Sequence, residues 1–228
     1  KRACYLLIII PVYTYTQCLW HCKLPKAKPG VYKMKTQLIA RADYRRVPWK
    51  NGLGFTEEIY REPADLSLPF WWRISIATVA QNGEFSLFDG YERIISVLDG
   101  AGMCLRIDNV DSSPILPFQA FQFSGSAQTS CTLLQDEIHD FNVIFDEKRV
   151  SVDMKWHHTS SFIDVIIQPH ETVFVLCADG EAECLFAEKT YRISHWDGLL
   201  VSAVTKQEVF RITAHSPCHI GIVVIKHL

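Results

Sequence analysis

Ile94-Ile-Ser-Val-Leu-Asp-Gly-Ala-Gly-Met-Cys-Leu105 carries the pattern that decides the fold. A run of aliphatic residues meets an Asp-Gly pair and gives way to a second apolar run. Val173-Phe-Val-Leu-Cys-Ala-Asp-Gly-Glu-Ala-Glu-Cys-Leu185 repeats the plan, and Tyr191-Arg-Ile-Ser-His-Trp-Asp-Gly-Leu-Leu-Val201 enters another strand through Asp197-Gly198. Short stretches rich in Ile, Val, Phe, Trp and Thr, bounded by turn residues, read as strands. Working outward, the pattern predicts strands over Thr56–Arg61, Trp71–Val79, Arg93–Leu98, Met103–Ile107, Phe118–Phe123, Thr129–Leu134 and Asp140–Phe145. Beyond these come Phe162–Gln168, Thr172–Cys177, Glu183–Ala187, Gly198–Val204, Val209–Thr213 and Ile220–Lys226. Asn51-Gly52, Asn82-Gly83, Asp89-Gly90, Asp99-Gly100, Asp179-Gly180 and Asp197-Gly198 are expected to supply the positive φ of tight hairpin turns. No helix longer than two turns is predicted. So many strands must hide their edges, and barrels or packed jelly-roll sandwiches do so. The repeated plan predicts two related β halves, joined near Arg149–His158.

Composition narrows the function classes. The chain has 228 residues, 48% hydrophobic and 21% charged, with a formal charge of -2. That length is enough for a sizeable core. The near-neutral balance argues against a nucleic-acid binder, which concentrates basic side chains on one face. No apolar run reaches the roughly 18 to 20 residues of a membrane-spanning helix. Lys1–Lys33 hold six basic side chains and no acidic one, a break from the acidic remainder. Their short apolar run Tyr5–Ile10 stops at Pro11, with no small-residue cleavage site beyond. Residues 1–33 therefore read as a leader outside the domain, upstream of a start at Met34. Cys18 and Cys22 have a spacing that zinc sites use, but no second ligand pair follows at a suitable distance. In the body, Cys104, Cys131, Cys177, Cys184 and Cys218 are scattered and odd in number. They read as buried thiols in a reducing compartment, with a cytoplasmic location expected.

Several motifs in fixed order carry a family resemblance. Arg46-Val-Pro-Trp-Lys-Asn-Gly52 is followed by Thr56-Glu-Glu58 and Trp72-Arg-Ile-Ser-Ile-Ala77. Then come Asn82-Gly-Glu-Phe-Ser-Leu-Phe-Asp-Gly-Tyr-Glu-Arg93 and Asp140-Phe-Asn-Val143. From about Thr36 to the C-terminus the chain resembles the HutD/Ves family, and Trp72 to Gly100 is most similar to the Ves branch. The resemblance implies an all-β, cupin-like double-stranded β-helix with two lobes in one chain, a bicupin. Lobe 1 would span about 34–150 and lobe 2 about 158–228.

Cupins hold a metal with histidines and a glutamate framed by glycines. Gly83 and Gly102 fit that frame, but the ligand positions hold Asp89, Tyr91 and Ile95. An aliphatic side chain coordinates nothing and Tyr replaces imidazole poorly. His157-His158 point to opposite faces of any strand, and Pro217 keeps His215 and His219 off a regular helix. No metal and no other cofactor is expected. Neither a nucleophile elbow nor a complete dinucleotide fingerprint occurs, and no catalytic residue is assigned.

Polar residues then stand out on strands. Alternation puts Arg73, Ser75 and Ala77 opposite Trp72, Ile74 and Ile76, groups Thr56, Glu58 and Tyr60, and pairs Asp140 with Asn142. Such faces look either at water or into a barrel interior, where an arginine needs an anionic partner; Glu58 or a ligand carboxylate could serve. The resemblance, in which these are signature residues, favours the interior. It implies a ligand set of Trp49, Lys50, Asn51, Thr56, Glu58, Arg73, Ser75 and Asn142, with Arg73 as carboxylate anchor. The expected function is non-enzymatic binding or sensing of a small acidic metabolite, formylglutamate-like, in histidine utilisation or stress response. The alternative is metal-free acid–base chemistry with Glu58 as base and Lys50 or Asp140 as the second group. No nucleic-acid or membrane partner is expected. A homodimer is the oligomer considered, although the sequence does not fix one.

Overall fold

The computed structural model describes residues 34–49 and 54–228; the leader and the Asn51-Gly52 turn lie outside them. The strands begin β1 (Lys35–Ile39), β2 (Arg45–Pro48), β3 (Gly54–Glu62), β4 (Trp72–Val79), β5 (Gly83–Glu84) and β6 (Glu92–Asp99). They continue β7 (Met103–Ile107), β8 (Val110–Asp111), β9 (Phe121–Ser124), β10 (Thr129–Leu133), β11 (Ile138–Phe145) and β12 (Val150–Thr159). The rest are β13 (Phe162–Ile167), β14 (Glu171–Cys177), β15 (Glu181–Phe186), β16 (Lys189–Ser194), β17 (Gly198–Ser202), β18 (Glu208–Ala214) and β19 (Cys218–His227). Among the described residues the helical content is one 3-10 turn, Arg41–Asp43, so no helix there is long and apolar enough to cross a membrane. The fold is all-β.

Four antiparallel sheets form in the orders β2-β3-β4-β11-β6-β9, β5-β10-β7-β8, β1-β17-β14-β19-β12 and β13-β18-β15-β16. Moving the run β4-β11-β6-β9 forward by eight strands gives β12-β19-β14-β17, and β5-β10-β7-β8 likewise becomes β13-β18-β15-β16. The short echo between Ile94–Leu105 and Val173–Leu185 is therefore the visible part of a repeat that runs through both halves.

Three apolar clusters fill the spaces between layers. One joins Ile95 and Val97 to Met103 and Leu105 inside the first half. A second sets Ile74, Ile76 and Phe141 against Phe174, Leu176 and Leu200, between the two large sheets. The third packs Val173, Val175 and Leu199 on Phe186, Phe210 and Ile212 inside the second half. The large sheets are thus covered on both faces, which is why β14 is buried at every position and reads as a continuous apolar run. Phe141 and Phe174 stack across the middle layer at 6.3 Å.

The structure corrects several expectations. The supposed junction near Arg149–His158 is strand β12, paired along its whole length with β19; it is half-buried and mixed in polarity, as an edge strand can be. The first strand does not belong to the first half's sheet: β1 pairs with β17, Lys35 opposite Ser202 and Ile39 opposite Gly198. The strand over Phe118–Phe123 starts later, at Phe121, because Phe118 sits at φ 62°. Asp99-Gly100, Asp179-Gly180 and Asp197-Gly198 close no hairpins. Each carries the chain from one sheet to the facing one, since the strands they join, β6 to β7, β14 to β15 and β16 to β17, lie in different sheets. Gly90, Gly100 and Gly180 have positive φ, whereas Gly83 and Gly198 do not. At Gly198 the demand is space: an added Cβ would lie 2.5 Å from the Phe174 ring.

Candidate functional site

The inner face of the six-stranded sheet lines a cavity of about 510 Å³ in the first half. Strand register builds it in rows. Thr56, Ala77 and Asp140 stand side by side on β3, β4 and β11, and Glu58, Ser75 and Asn142 form the next row. Arg73, Ile144 and Arg93 follow on β4, β11 and β6. Alternation holds on β4 as expected, with Trp72, Ile74 and Ile76 in the middle apolar layer. On β3 it breaks, because a bulge between Glu58 and Tyr60 shifts the register and turns Tyr60 out of the Thr56–Glu58 face. Tyr60 instead stacks on Trp72, ring centroids 5.2 Å apart.

Six of the eight expected residues, Trp49, Thr56, Glu58, Arg73, Ser75 and Asn142, line this one cavity. Lys50 and Asn51 lie outside the described residues. Trp49 is fixed at the rim by its indole N–H, which donates to Thr56 Oγ1 at 2.9 Å. Glu58 pairs with Arg45 at 2.9 Å rather than with Arg73.

Sequence reasoning missed Arg45 and Arg93 and left Asp140 out of the ligand set, although all three line the cavity. Arg93 is 5% exposed and Asp140 2%. The signal for Arg93 was an arginine sharing a strand face with Ile95 and Val97. The second half supplies the contrast. Aligning Asp99-Gly100 with Asp179-Gly180 sets Arg93 against Val173, and the paired rows set Asp140 and Asn142 against Ile220 and Ile222. Those three side chains close an apolar core there.

The two guanidiniums are held by rings rather than by carboxylates. Arg73 lies 5.3 Å from the Phe70 centroid and 5.0 Å from Phe88. Arg93 lies 5.1, 5.5 and 4.9 Å from Phe85, Phe88 and Phe123. A cation over an aromatic face is stabilised by the ring quadrupole and keeps its N–H edges free for an anion. Nε of each arginine is buried and has no hydrogen-bond partner among the described residues, as are Asp140 Oδ1 and Asn142 Oδ1. Burial lowers the Arg73 pKa, with Glu58 opposing, and brings Arg93 down to about 10, with Asp140 opposing. A guanidinium stays a cation at neutral pH. Burial pushes Asp140 up to about 7 against the pull of Arg93. With Glu58 neutralised by Arg45, the two buried guanidiniums are left facing Asp140 and the exposed Glu84.

The positions a cupin uses for metal do not fit one here. Ile95 is wholly buried in the apolar cluster, the Tyr91 hydroxyl donates to the Phe70 carbonyl at 2.9 Å, and Asp89 accepts from Ser126 at 2.9 Å. Among the described residues no group of three His, Cys, Asp or Glu could hold a metal ion.

A 21.2 kDa protein of the hutC 3' region of Pseudomonas putida is 43% identical over 164 residues, covering 72% of this chain and 85% of its own length. Protein Ves of Citrobacter koseri is 36% identical over 117 residues, 50% of this chain and 61% of its own. The solved structure of HutD from Pseudomonas fluorescens SBW25 superposes with a TM-score of 0.74 at 32% identity, covering 85% of this chain and 100% of that one. In fold alone the chain also resembles a cupin 2 conserved barrel domain protein from Leptotrichia buccalis, with TM-score 0.51, 11% identity, and 80% and 92% of the two chains covered. The HutD family model matches residues 41–219, and the chain belongs to the HutD family.

Proposed function

We propose that this protein is a non-enzymatic bicupin that binds a small carboxylate metabolite in the cavity of its first half. The eight-strand shift relating the sheets supports reading the halves as two cupin-type lobes, with apolar side chains in the second where the first carries the site. One observation carries the ligand class. Arg73 and Arg93 flank Ile144 in one register row, line the same cavity, and keep buried Nε–H donors without partners among the described residues. Guanidinium N–H groups match the paired oxygens of a carboxylate, and the cavity volume falls within the range of small-molecule sites. Asn142 and Ser75 add polar groups suited to an amide or formyl function, so a dicarboxylic acid derivative such as formylglutamate fits. The hutC-region relative supports a role in histidine utilisation. The engagement of Glu58 by Arg45 counts against Glu58 as a free catalytic base. Calorimetric titration with formylglutamate, glutamate and urocanate tests the reading. At least one should bind with 1:1 stoichiometry, and failure of all three sinks it.

A further inference from the structure

Asp140 has no part in anchoring a carboxylate, and the matched position in the second half holds an apolar residue, Ile220. It stands on β11 between Ala77 and Val97, and Oδ1 is buried with no partner among the described residues. The groups facing it are Arg93 from β6 and the Cys131 thiol from β10, whose pKa the acid helps to raise. Arg73, Glu58, Arg45 and Glu84, from β4, β3, β2 and β5, line the same cavity. Arg93 makes its hydrogen bond to the Ser86 carbonyl, at 3.4 Å, so it helps Asp140 through charge rather than by donating to it. A carboxylate stripped of water, with no donor to that oxygen among the described residues, is poorly tolerated as an anion.

An anion arriving on Arg73 and Arg93 worsens that position twice. It takes up the guanidinium charge that favours ionised Asp140, and it sets a further negative charge nearby. Both effects move a proton onto Asp140, and the neutral acid gains an O–H aimed into the cavity. We propose that Asp140 enters the ligand complex as a neutral carboxylic acid and donates its O–H to an oxygen of the bound anion. The ligand is then an acid with two separate acceptor groups, one on the guanidinium pair and one on Asp140. Binding draws a proton from solvent whenever the free protein holds Asp140 ionised. This rests on the carboxylate-binding reading above and adds the proton to it.

The test is calorimetry with formylglutamate at pH 7.5 in phosphate and in Tris, whose ionisation enthalpies differ. The difference in observed heat gives the protons taken up, expected to be roughly half to three-quarters of a proton per ligand given a carboxyl that titrates near 7. Affinity should fall by up to about tenfold per pH unit above neutrality. Asp140→Asn keeps an uncharged donor, so it should bind with no proton uptake and with affinity flat from roughly pH 6 to 8.5. Binding by the wild type with equal heats in both buffers overturns the inference and leaves the binding site standing. Undiminished proton uptake in Asp140→Asn overturns it too, by placing the proton elsewhere. If no acid binds, both readings fall.

Discussion

Glu58 gives its carboxylate to Arg45, 2.9 Å away on the neighbouring strand of the same hairpin. Arg73, one strand further in, is left to the rings of Phe70 and Phe88. The pairing that neutralises Glu58 is thus made at the half-exposed mouth, and the buried guanidiniums keep their charge for an incoming anion. Arg73→Lys should weaken binding of an acidic metabolite by at least about tenfold with little change in melting temperature, because an ammonium lacks the paired planar donors. Arg93→Lys should do the same. Titration and a melting curve for each variant decide the matter; wild-type affinity in both would remove the anchors.

Glu58→Gln should tighten anion binding. At an effective dielectric of about 20, a unit charge about 8 Å away contributes about 2 kcal/mol before screening. About 1.4 kcal/mol is tenfold, so a gain of at most roughly thirtyfold at low salt is expected, shrinking as salt is added. Weaker binding would mean that Glu58 contacts the ligand directly.

Asp140 should make stability fall as pH rises. Its folded pKa, about 7, lies above the unfolded value of 3.8, so its favourable contribution is fully present below pH 3.8. It is lost progressively as pH climbs to about 7, with a slope of up to about 1.4 kcal/mol per pH unit. Asp140→Asn should flatten denaturation midpoints across that window and exceed the wild type above it. A variant that keeps the wild-type slope contradicts the assignment.

Gly198→Ala should cost stability while Gly83→Ala should not. A Cβ at 198 meets the Phe174 ring at 2.5 Å, whereas one at 83 meets nothing within 4 Å. Overpacking a close core costs about 1 to 3 kcal/mol, and an open surface site about 0.5 kcal/mol or less. Urea midpoints for the two variants should separate accordingly.

Metal chelators should leave the melting temperature unchanged, and purified protein should carry well under one equivalent of transition metal. Ile95, Tyr91 and Asp89 are committed to packing or to hydrogen bonds where a cupin places ligands. Stoichiometric iron, zinc, manganese or nickel retained through dialysis would reverse this.

The strand pattern was legible because apolar runs and turn residues are local. On β4 it even fixed which side chains face the cavity. What stayed hidden was non-local. The Tyr60 turn-out depends on a bulge at Ile59 that no local residue announces. The Asp-Gly corners look alike in sequence whether they close a hairpin or pass between sheets, and of the three that pass between sheets Gly100 and Gly180 adopt positive φ while Gly198 does not. Arg93 passed unnoticed because its strand reads as core, and only the facing layer leaves room for its head group. Whether Glu58 or a ligand carboxylate serves Arg73 is open in the sequence, because Arg45 and Arg73 stand on the strands either side of Glu58. Sequence alone ranks neither.

The strap formed by β1 and Tyr44 has a consequence for the order in which the molecule is made. Tyr44 donates its hydroxyl to the Trp196 carbonyl, 152 residues later in the chain, and β1 waits for β17. During synthesis these residues leave the ribosome before the partners that will hold them, with nothing to pair with while the first half assembles. Contacts of such long range form late and slowly, and an unpaired strand is an aggregation hazard while it waits. A piece translated before its partners is therefore among the last to be seated.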